Sequence, residues 1–224
     1  MRTIVFDLDG TLADTSGDLI AAANFSFEHM GVGALLDPEA DQLTAFHGGR
    51  AMLRLGLERL GRAGDEAEVD RLFPHFLQAY GDRIDVFTTL YDGAMEAVAR
   101  FRAAGDRVTI CTNKPEGLAE TLLQRLGIRG EFDHLIGADT LPVRKPDPAP
   151  LRAAIENVGG SVERAVLIGD TNTDRECAAN LGIPVVLVTF GPSGDAVSAL
   201  NPDALIGHYS ELDAVVDRLI PRAR

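Results

Sequence analysis

Residues 4–15 read IVFDLDGTLADT: three consecutive apolar residues run straight into three carboxylates, Asp7, Asp9 and Asp14. The apolar run predicts a strand buried on both faces, as in the middle of a parallel sheet. In an extended chain residues two apart share a face, so Asp7 and Asp9 leave the strand end pointing the same way. Gly10 then lets the backbone turn sharply. Acids crowded in this manner are costly unless a proton or a cation offsets them. The stretch therefore predicts a strand whose C-terminal end carries charge-dependent chemistry.

Further apolar runs bounded by turn residues recur at 108–111, 134–137, 166–168, 185–188 and 204–206. Between them lie helical patterns. Leu118, Leu122, Leu123 and Leu126 share one face of a helix opening at Pro115 and stopping at Gly127. Leu151, Ala154, Ile155 and Val158 mark the next, and Ser210-Glu211-Leu212-Asp213 reads as the capping box of the last. Alternating strands and helices predict an α/β fold built on a doubly wound, mostly parallel sheet of Rossmann-like type. From about 18 to 82 the alternation stops and only helical stretches follow, at 19–30, 51–60 and 69–80, the last interrupted by Pro74. The expected organisation is an α/β core of residues 1–15 and 84–224 with an inserted all-helical cap of residues 16–83. Asp14 is placed to shape the turn into that insertion.

After the strand near 166–168 comes GDTNTD, with Asp170 and Asp174 at a second strand end. The C-terminal ends of strands in a doubly wound sheet form one rim, so four acids converge there. Oxygen donors without a His or Cys cluster select a hard ion, and Mg²⁺ is the natural choice. The segment Cys111-Thr112-Asn113-Lys114-Pro115 gives a hydroxyl and free backbone N–H groups at a predicted helix start, a ready place for an anion. Arg144-Lys145-Pro146-Asp147-Pro148 puts a lysine in a proline-stiffened loop. The chain holds two lysines, Lys114 and Lys145, against nineteen arginines, which suggests that a compact ammonium is required at Lys145.

These segments together resemble the haloacid dehalogenase superfamily, in its phosphoglycolate phosphatase-like branch with a helical cap. FDLDGTLADT is similar to the first motif of its phosphatases, Thr112-Asn113 to the second, Lys145 in RKPDP to the third and GDTNTD to the fourth. The resemblance implies that Asp7 attacks phosphorus to give an aspartyl-phosphate, while Asp9 moves protons to the leaving oxygen and from water. It implies Mg²⁺ held by the Asp7 carboxylate, the Asp9 carbonyl and Asp170, with Asp174 ligating or supporting. Thr112 and the amides of Leu8, Asp9 and Asn113 would bind phosphoryl oxygens, and Lys145 would keep Asp7 ionised.

Substrate choice is expected from the cap, where Phe46-His47-Gly48-Gly49-Arg50 offers a flexible glycine pair and Arg50 as a fork for a substrate carboxylate. The implied reaction is hydrolysis of a small phosphorylated metabolite, 2-phosphoglycolate foremost, with sugar phosphates and nucleoside monophosphates as alternatives. Retention of Asp9 argues against halide displacement. A cap without lysine argues against Schiff-base phosphonate cleavage. A β-phosphoglucomutase-type phosphotransferase is disfavoured, because Ser16-Gly17-Asp18-Leu19-Ile20 lacks that group's cap histidine. A non-catalytic phosphate-binding module is the remaining alternative, and none of Asp7, Asp9, Lys145 and Asp170 is lost. Gly191-Pro192-Ser193-Gly194 departs from the Gly-Tyr often seen in this branch.

A net charge of −13 argues against nucleic acid or anionic membrane as a partner. No apolar run approaches a membrane span and no leader is expected before Asp7. Cys111, expected in the core, and Cys177 form no CxxC pair, which points to a reducing, cytoplasmic setting. The sequence carries no signal for oligomeric state.

Overall fold

The structure, a computed structural model, describes residues 1–222. The chain divides into two compact units, Met1–Ala13 with Leu90–Arg224, and Asp14–Thr89. In chain order the elements are β1 (Thr3–Phe6), β2 (Ala13–Asp14), α1 (Ser16–His29), α2 (Gln42–Ala45), α3 (Gly49–Arg59), α4 (Glu66–Asp82), β3 (Thr89–Leu90), α5 (Ala94–Ala103) and β4 (Arg107–Cys111). There follow α6 (Glu116–Arg125), β5 (His134–Ile136), α7 (Pro148–Glu156), β6 (Ala165–Gly169), α8 (Asn172–Leu181), β7 (Val185–Val188), β8 (Ala204–Ile206) and α9 (Leu212–Leu219).

Six strands form the main sheet in the order β5-β4-β1-β6-β7-β8, all neighbours parallel. This is the doubly wound arrangement, in which the chain starts in the middle and builds outward first to one side, then to the other. β1 lies between β4 and β6, with Phe6 level with Ile110 and Ile168. Every residue of β1 is buried, which is why the segment carries no alternation. Val5, Cys111, Leu167 and Leu187 point to one face, where residues of α7 and α8 complete the core. The period of two sends Ile4, Phe6, Ile110 and Ile168 to the opposite face, left to α5 and α9, which pack on one another. Each fully buried Val, Leu or Ile contributes about 1.5–3 kcal/mol, so the sheet fixes its rim firmly.

The second unit is all-helical apart from the ends of the short sheet β2–β3, through which the chain enters and leaves it. Within it α1 packs on α4 and α3, and α4 on α3. Pro74 sits inside α4, a single helix from Glu66 to Asp82. Asp14 accepts from the Ser16 amide at 3.0 Å and the Ser16 hydroxyl at 2.6 Å, so its carboxylate does shape the turn into α1.

The C-terminal helix departs from its expected cap. Ser210 lies in a 3₁₀ turn, Tyr209–Glu211, and the helix proper begins at Leu212 without a side-chain cap. The Ser210 amide is taken by the His208 ring at 3.0 Å. The capping box is instead at Thr171 and Asp174, at the start of α8.

Candidate active site

Asp7 is the first residue past β1, and its amide donates to the Ile168 carbonyl at 2.9 Å, extending the β1–β6 ladder by one bond. The chain then turns: the Leu12 and Ala13 amides both donate to the Leu8 carbonyl, at 2.9 and 3.1 Å. Gly10 makes this turn with φ +80, and a Cβ there would lie 2.3 Å from Asp170 Oδ2, so no other residue fits. Asp170 follows β6 directly, and Asp174 stands one turn on in α8. Asp7, Asp170 and Asp174 thus each bring a carboxylate oxygen within 4.8 Å of the others.

Two cations enter this rim. Lys145 Nζ lies 2.6 Å from Asp174 Oδ1 and 3.1 Å from Asp7 Oδ1, with 1% of its side chain exposed. Its loop is held by Asn113 Nδ2, which donates to the Lys145 carbonyl at 3.0 Å, and the Lys145–Pro146 bond is cis. Lys114 Nζ donates to Asp9 Oδ1 at 2.6 Å, also from a buried side chain.

Burial pushes the Asp7 carboxyl up to about 7; Lys145 opposes this, and repulsion from Asp174 and Asp9 adds to it. Burial, reinforced by Asp174 and Asp7, also holds Asp170 well above the usual carboxylate range. Burial works against the Lys145 ammonium, yet Asp174 and Asp7 more than offset it and hold its pKa well above the ordinary value. A single ammonium does not neutralise three carboxylates. One buried oxygen, Asp170 Oδ2, has no hydrogen-bond partner at all. An orphaned carboxylate oxygen among oxygen donors is what a hard divalent cation requires, so these residues fit a metal.

Asp174 is placed differently from Asp170. Its Oδ1 accepts from Lys145, and its Oδ2 accepts from the Thr171 hydroxyl at 2.6 Å and the Thr171 amide at 3.2 Å. It is bound up as a helix cap and lysine partner, whereas Asp170 keeps an open oxygen.

The other expected residues take up these positions. The Leu8 amide donates to Asp7 Oδ1 at 2.7 Å. Thr112 is buried, and its Oγ1 accepts from the Lys114 amide at 3.1 Å. The anion site expected at the start of α6 is narrower than the sequence suggests, because the helix begins at Glu116 and that amide is taken by Asp139 at 2.8 Å. In the helical unit Gly49 opens α3, and a Cβ there would meet the Phe76 ring at 2.3 Å, so packing alone demands this glycine. Arg50 is half-exposed, pairs with Asp70 at 2.7 Å and lies 4.6 Å from the centre of the Phe73 ring.

Two residues at the rim, Thr11 and Tyr209, were not foreseen, and neither was the contact of Lys114 with Asp9. Thr11 Oγ1 donates to Asp170 Oδ1 at 2.9 Å, fixing the acid whose second oxygen stays open. Tyr209 Oη, fully buried, donates to the Thr11 carbonyl at 2.7 Å and packs against Phe6 and Phe190. Neither contact leaves a local sequence signal, since the partners are 159 and 198 positions apart. Lys114 did leave one, in the scarcity of lysine.

The central parallel sheet thus gathers acids and two buried ammonium groups at the ends of its strands, as an α/β protein with one site on its C-terminal rim. The sequence profile of the haloacid dehalogenase-like hydrolases matches residues 4–188, and the chain belongs to that family. It is 41% identical over 221 residues to the phosphoglycolate phosphatase of Mesorhizobium japonicum, covering 98% of this chain and 97% of that one. Identity to the phosphoglycolate phosphatase of Caulobacter vibrioides is 36%, over 94% of this chain and 88% of the relative. Among solved structures, a predicted phosphoglycolate phosphatase from Haemophilus somnus superposes with a TM-score of 0.82 at 22% identity, covering 96% of this chain and 97% of the other, which is likeness of fold. Among the described residues no helix is long and apolar enough to cross a membrane.

Proposed function

We propose that this chain is a Mg²⁺-dependent phosphoric monoester hydrolase whose substrate is 2-phosphoglycolate. The observation that carries the chemistry is Asp7 at the end of β1, 3.1 Å from a buried ammonium and beside a carboxylate with an orphaned oxygen. The substrate rests on the curated relatives matched over nearly the whole chain.

In this reading an Asp7 carboxylate oxygen attacks phosphorus, the bond from phosphorus to the ester oxygen breaks, and Asp9 gives its proton to the departing alkoxide. Asp9 then takes a proton from water, whose oxygen attacks the aspartyl-phosphate and releases inorganic phosphate with Asp7 restored. Lys145 favours the ionised form of Asp7 against the effect of burial and offsets charge on the transferring group. Thr112 and the amides of Leu8, Asp9 and Asn113 would hold phosphoryl oxygens, which requires the Leu8 amide to leave Asp7 when substrate arrives. Asp7, Asp170 and the Asp9 carbonyl would hold Mg²⁺, with Asp174 supporting; the ion would neutralise negative charge and orient the phosphoryl group. The helical unit would serve as a cap, in which Gly49 seats the start of α3 and Arg50 exchanges Asp70 for the glycolate carboxylate. Both cysteines are free and buried, which supports a reducing, cytoplasmic setting.

The test is release of inorganic phosphate from a panel containing 2-phosphoglycolate, β-glucose 1-phosphate, a nucleoside monophosphate and glycerol 3-phosphate, with Mg²⁺ or chelator. Phosphoglycolate should lead the panel and lose activity with chelator. Arg50→Ala should raise KM for phosphoglycolate about tenfold or more and leave glycerol 3-phosphate unchanged. Isomerised sugar phosphate in place of free phosphate would instead establish the mutase reading, and a flat panel would point to a binding module.

Mg²⁺ should also stabilise the fold. At about 100 times its dissociation constant, binding contributes roughly 2.7 kcal/mol, which is about 5–10 °C in Tm for a chain of this size. Asp7 keeps its proton up to about pH 7 without metal, so the ion must displace it below that pH. The Mg²⁺-dependent rise in Tm should therefore be large at pH 8 and small at pH 5.5; equal shifts at both would refute the carboxylate cluster as the metal site.

A further inference from the structure

Both lysines of the chain are at the rim of the sheet, and each is in contact with one of the first two of the three acids of the first motif: Lys145 with Asp7, Lys114 with Asp9. Nineteen other cationic positions are arginine. Lys145 has a role in the reading above, and Lys114 has none. The proposal that follows rests on that reading of the reaction.

We propose that Lys114 is a positioning residue for Asp9, fixing the direction of the carboxyl that exchanges protons with the leaving oxygen. The ammonium is delivered from a rigid point. The Lys114 amide donates to Thr112 Oγ1 at 3.1 Å, and its carbonyl accepts from the Ala138 amide at 2.9 Å. The side chain is 4% exposed, so its path to Asp9 is enclosed rather than waving in solvent. The contact itself, Nζ to Oδ1 at 2.6 Å, is a charge-assisted hydrogen bond. It spans 105 positions of sequence, joining the loop after β4 to the loop after β1.

The backbone at Asp9, one residue before a glycine with φ +80, is bridged to Ala13, which fixes where the side chain starts but not the rotation of its carboxyl. Asp170 is steadied by Thr11, and Asp174 by Thr171 and Lys145. Lys114 does the same for Asp9. The Lys114 ammonium on Oδ1 restricts the rotation of the Asp9 carboxyl. A proton-transferring carboxyl must come within about 2.6–3.2 Å of its target, and misplacement by about 1 Å costs on the order of 10²-fold. A point charge on a flexible stem fits an enclosed space where a planar guanidinium would need more room, which accounts for lysine in an arginine-rich chain.

The experiment compares kcat/KM for alkyl esters, 2-phosphoglycolate and glycerol 3-phosphate, with that for 4-nitrophenyl phosphate, whose leaving group departs without a proton. kcat/KM covers only steps through departure of the leaving group, so the shared hydrolysis of aspartyl-phosphate does not enter. Lys114→Met should lose about 10²-fold on whichever alkyl ester the wild type hydrolyses and less than about fivefold on the aryl ester. Lys114→Arg should recover part of the alkyl activity, and Lys114→Met added to Asp9→Asn should cost nothing further. Equal losses on alkyl and aryl esters, or full additivity with Asp9→Asn, would overturn the assignment in favour of a merely structural lysine. Failure of the wild type on phosphoglycolate alone, with glycerol 3-phosphate hydrolysed, would overturn the substrate but leave the alkyl-to-aryl ratio to decide Lys114. A wild type inactive on all three esters would overturn the reaction and the role of Lys114 together.

Discussion

With Asp7 replaced by Asn, turnover of any phosphate monoester is expected to fall by ~10⁵-fold or more, the scale seen when a covalent nucleophile is removed. Asn preserves the shape of the side chain and its place beside Lys145, but an amide does not displace an alkoxide from phosphorus. Rapid quenching with labelled substrate should trap phosphorylated protein from the wild type and none from the variant. Loss of fold is a separate matter with a predictable sign. Burial raises the Asp7 carboxyl to about 7, far above the ordinary value of 3.8, so ionising it in the folded state costs stability as pH rises toward 7. A neutral isostere escapes that cost. Metal-free Asp7→Asn should therefore melt no lower than wild type at pH 8, while its response to Mg²⁺ shrinks. A variant that keeps a tenth of the activity would remove Asp7 as nucleophile.

Lys145→Met should be the most destabilising single change at the rim. The side chain is almost wholly enclosed between Asp174 and Asp7, and a thioether there leaves two buried acids facing each other. Breaking a buried pair in this way costs about 3–5 kcal/mol, or roughly 10 °C in Tm. The pH dependence follows from the Asp7 shift. Below about pH 7 Asp7 holds a proton even with Lys145 present, so less charge is left uncompensated when the lysine goes. The deficit relative to wild type in chelator should be largest near pH 8 and smaller near pH 5.5, and Mg²⁺ should recover part of it at pH 8. A deficit independent of pH would mean that Lys145 stabilises by packing rather than by charge. Activity should fall with it by at least 10²-fold, because in the proposed reaction Lys145 also offsets charge during transfer.

The central strands β1, β6 and β7 were legible because they are buried on both faces and read as apolar runs ended by a turn. Their residues also told which way the rim faces, since Asp7, Thr112, Lys145 and Asp170 all follow strand positions. What stayed hidden was short or non-local. β2 and β3 are two residues each and α2 is four, too brief for any period to register. Ser210-Glu211 had the form of a capping box, yet the neighbouring His208 ring captured the amide first. Lys114 was conspicuous by type, but its partner lies across the sheet, and Thr11 and Tyr209 act through contacts that only the folded chain brings together. Arg50 illustrates the opposite difficulty: its residue type suggested a substrate, and the structure pairs it with Asp70.

The hydrogen bond from Tyr209 to Thr11 has a consequence for the timing of assembly. Thr11 steadies Asp170, and Tyr209, which emerges from the ribosome 198 residues later, steadies Thr11. The acidic rim is thus secured by residues made far apart in time, and a nascent chain that has made β1, β4 and β6 still lacks the phenol that holds the turn after Asp7. Contacts of such span close late and raise the folding barrier. In the proposed reaction, metal capture and catalytic competence should therefore arrive together, only once Tyr209 has been made and has docked on Thr11.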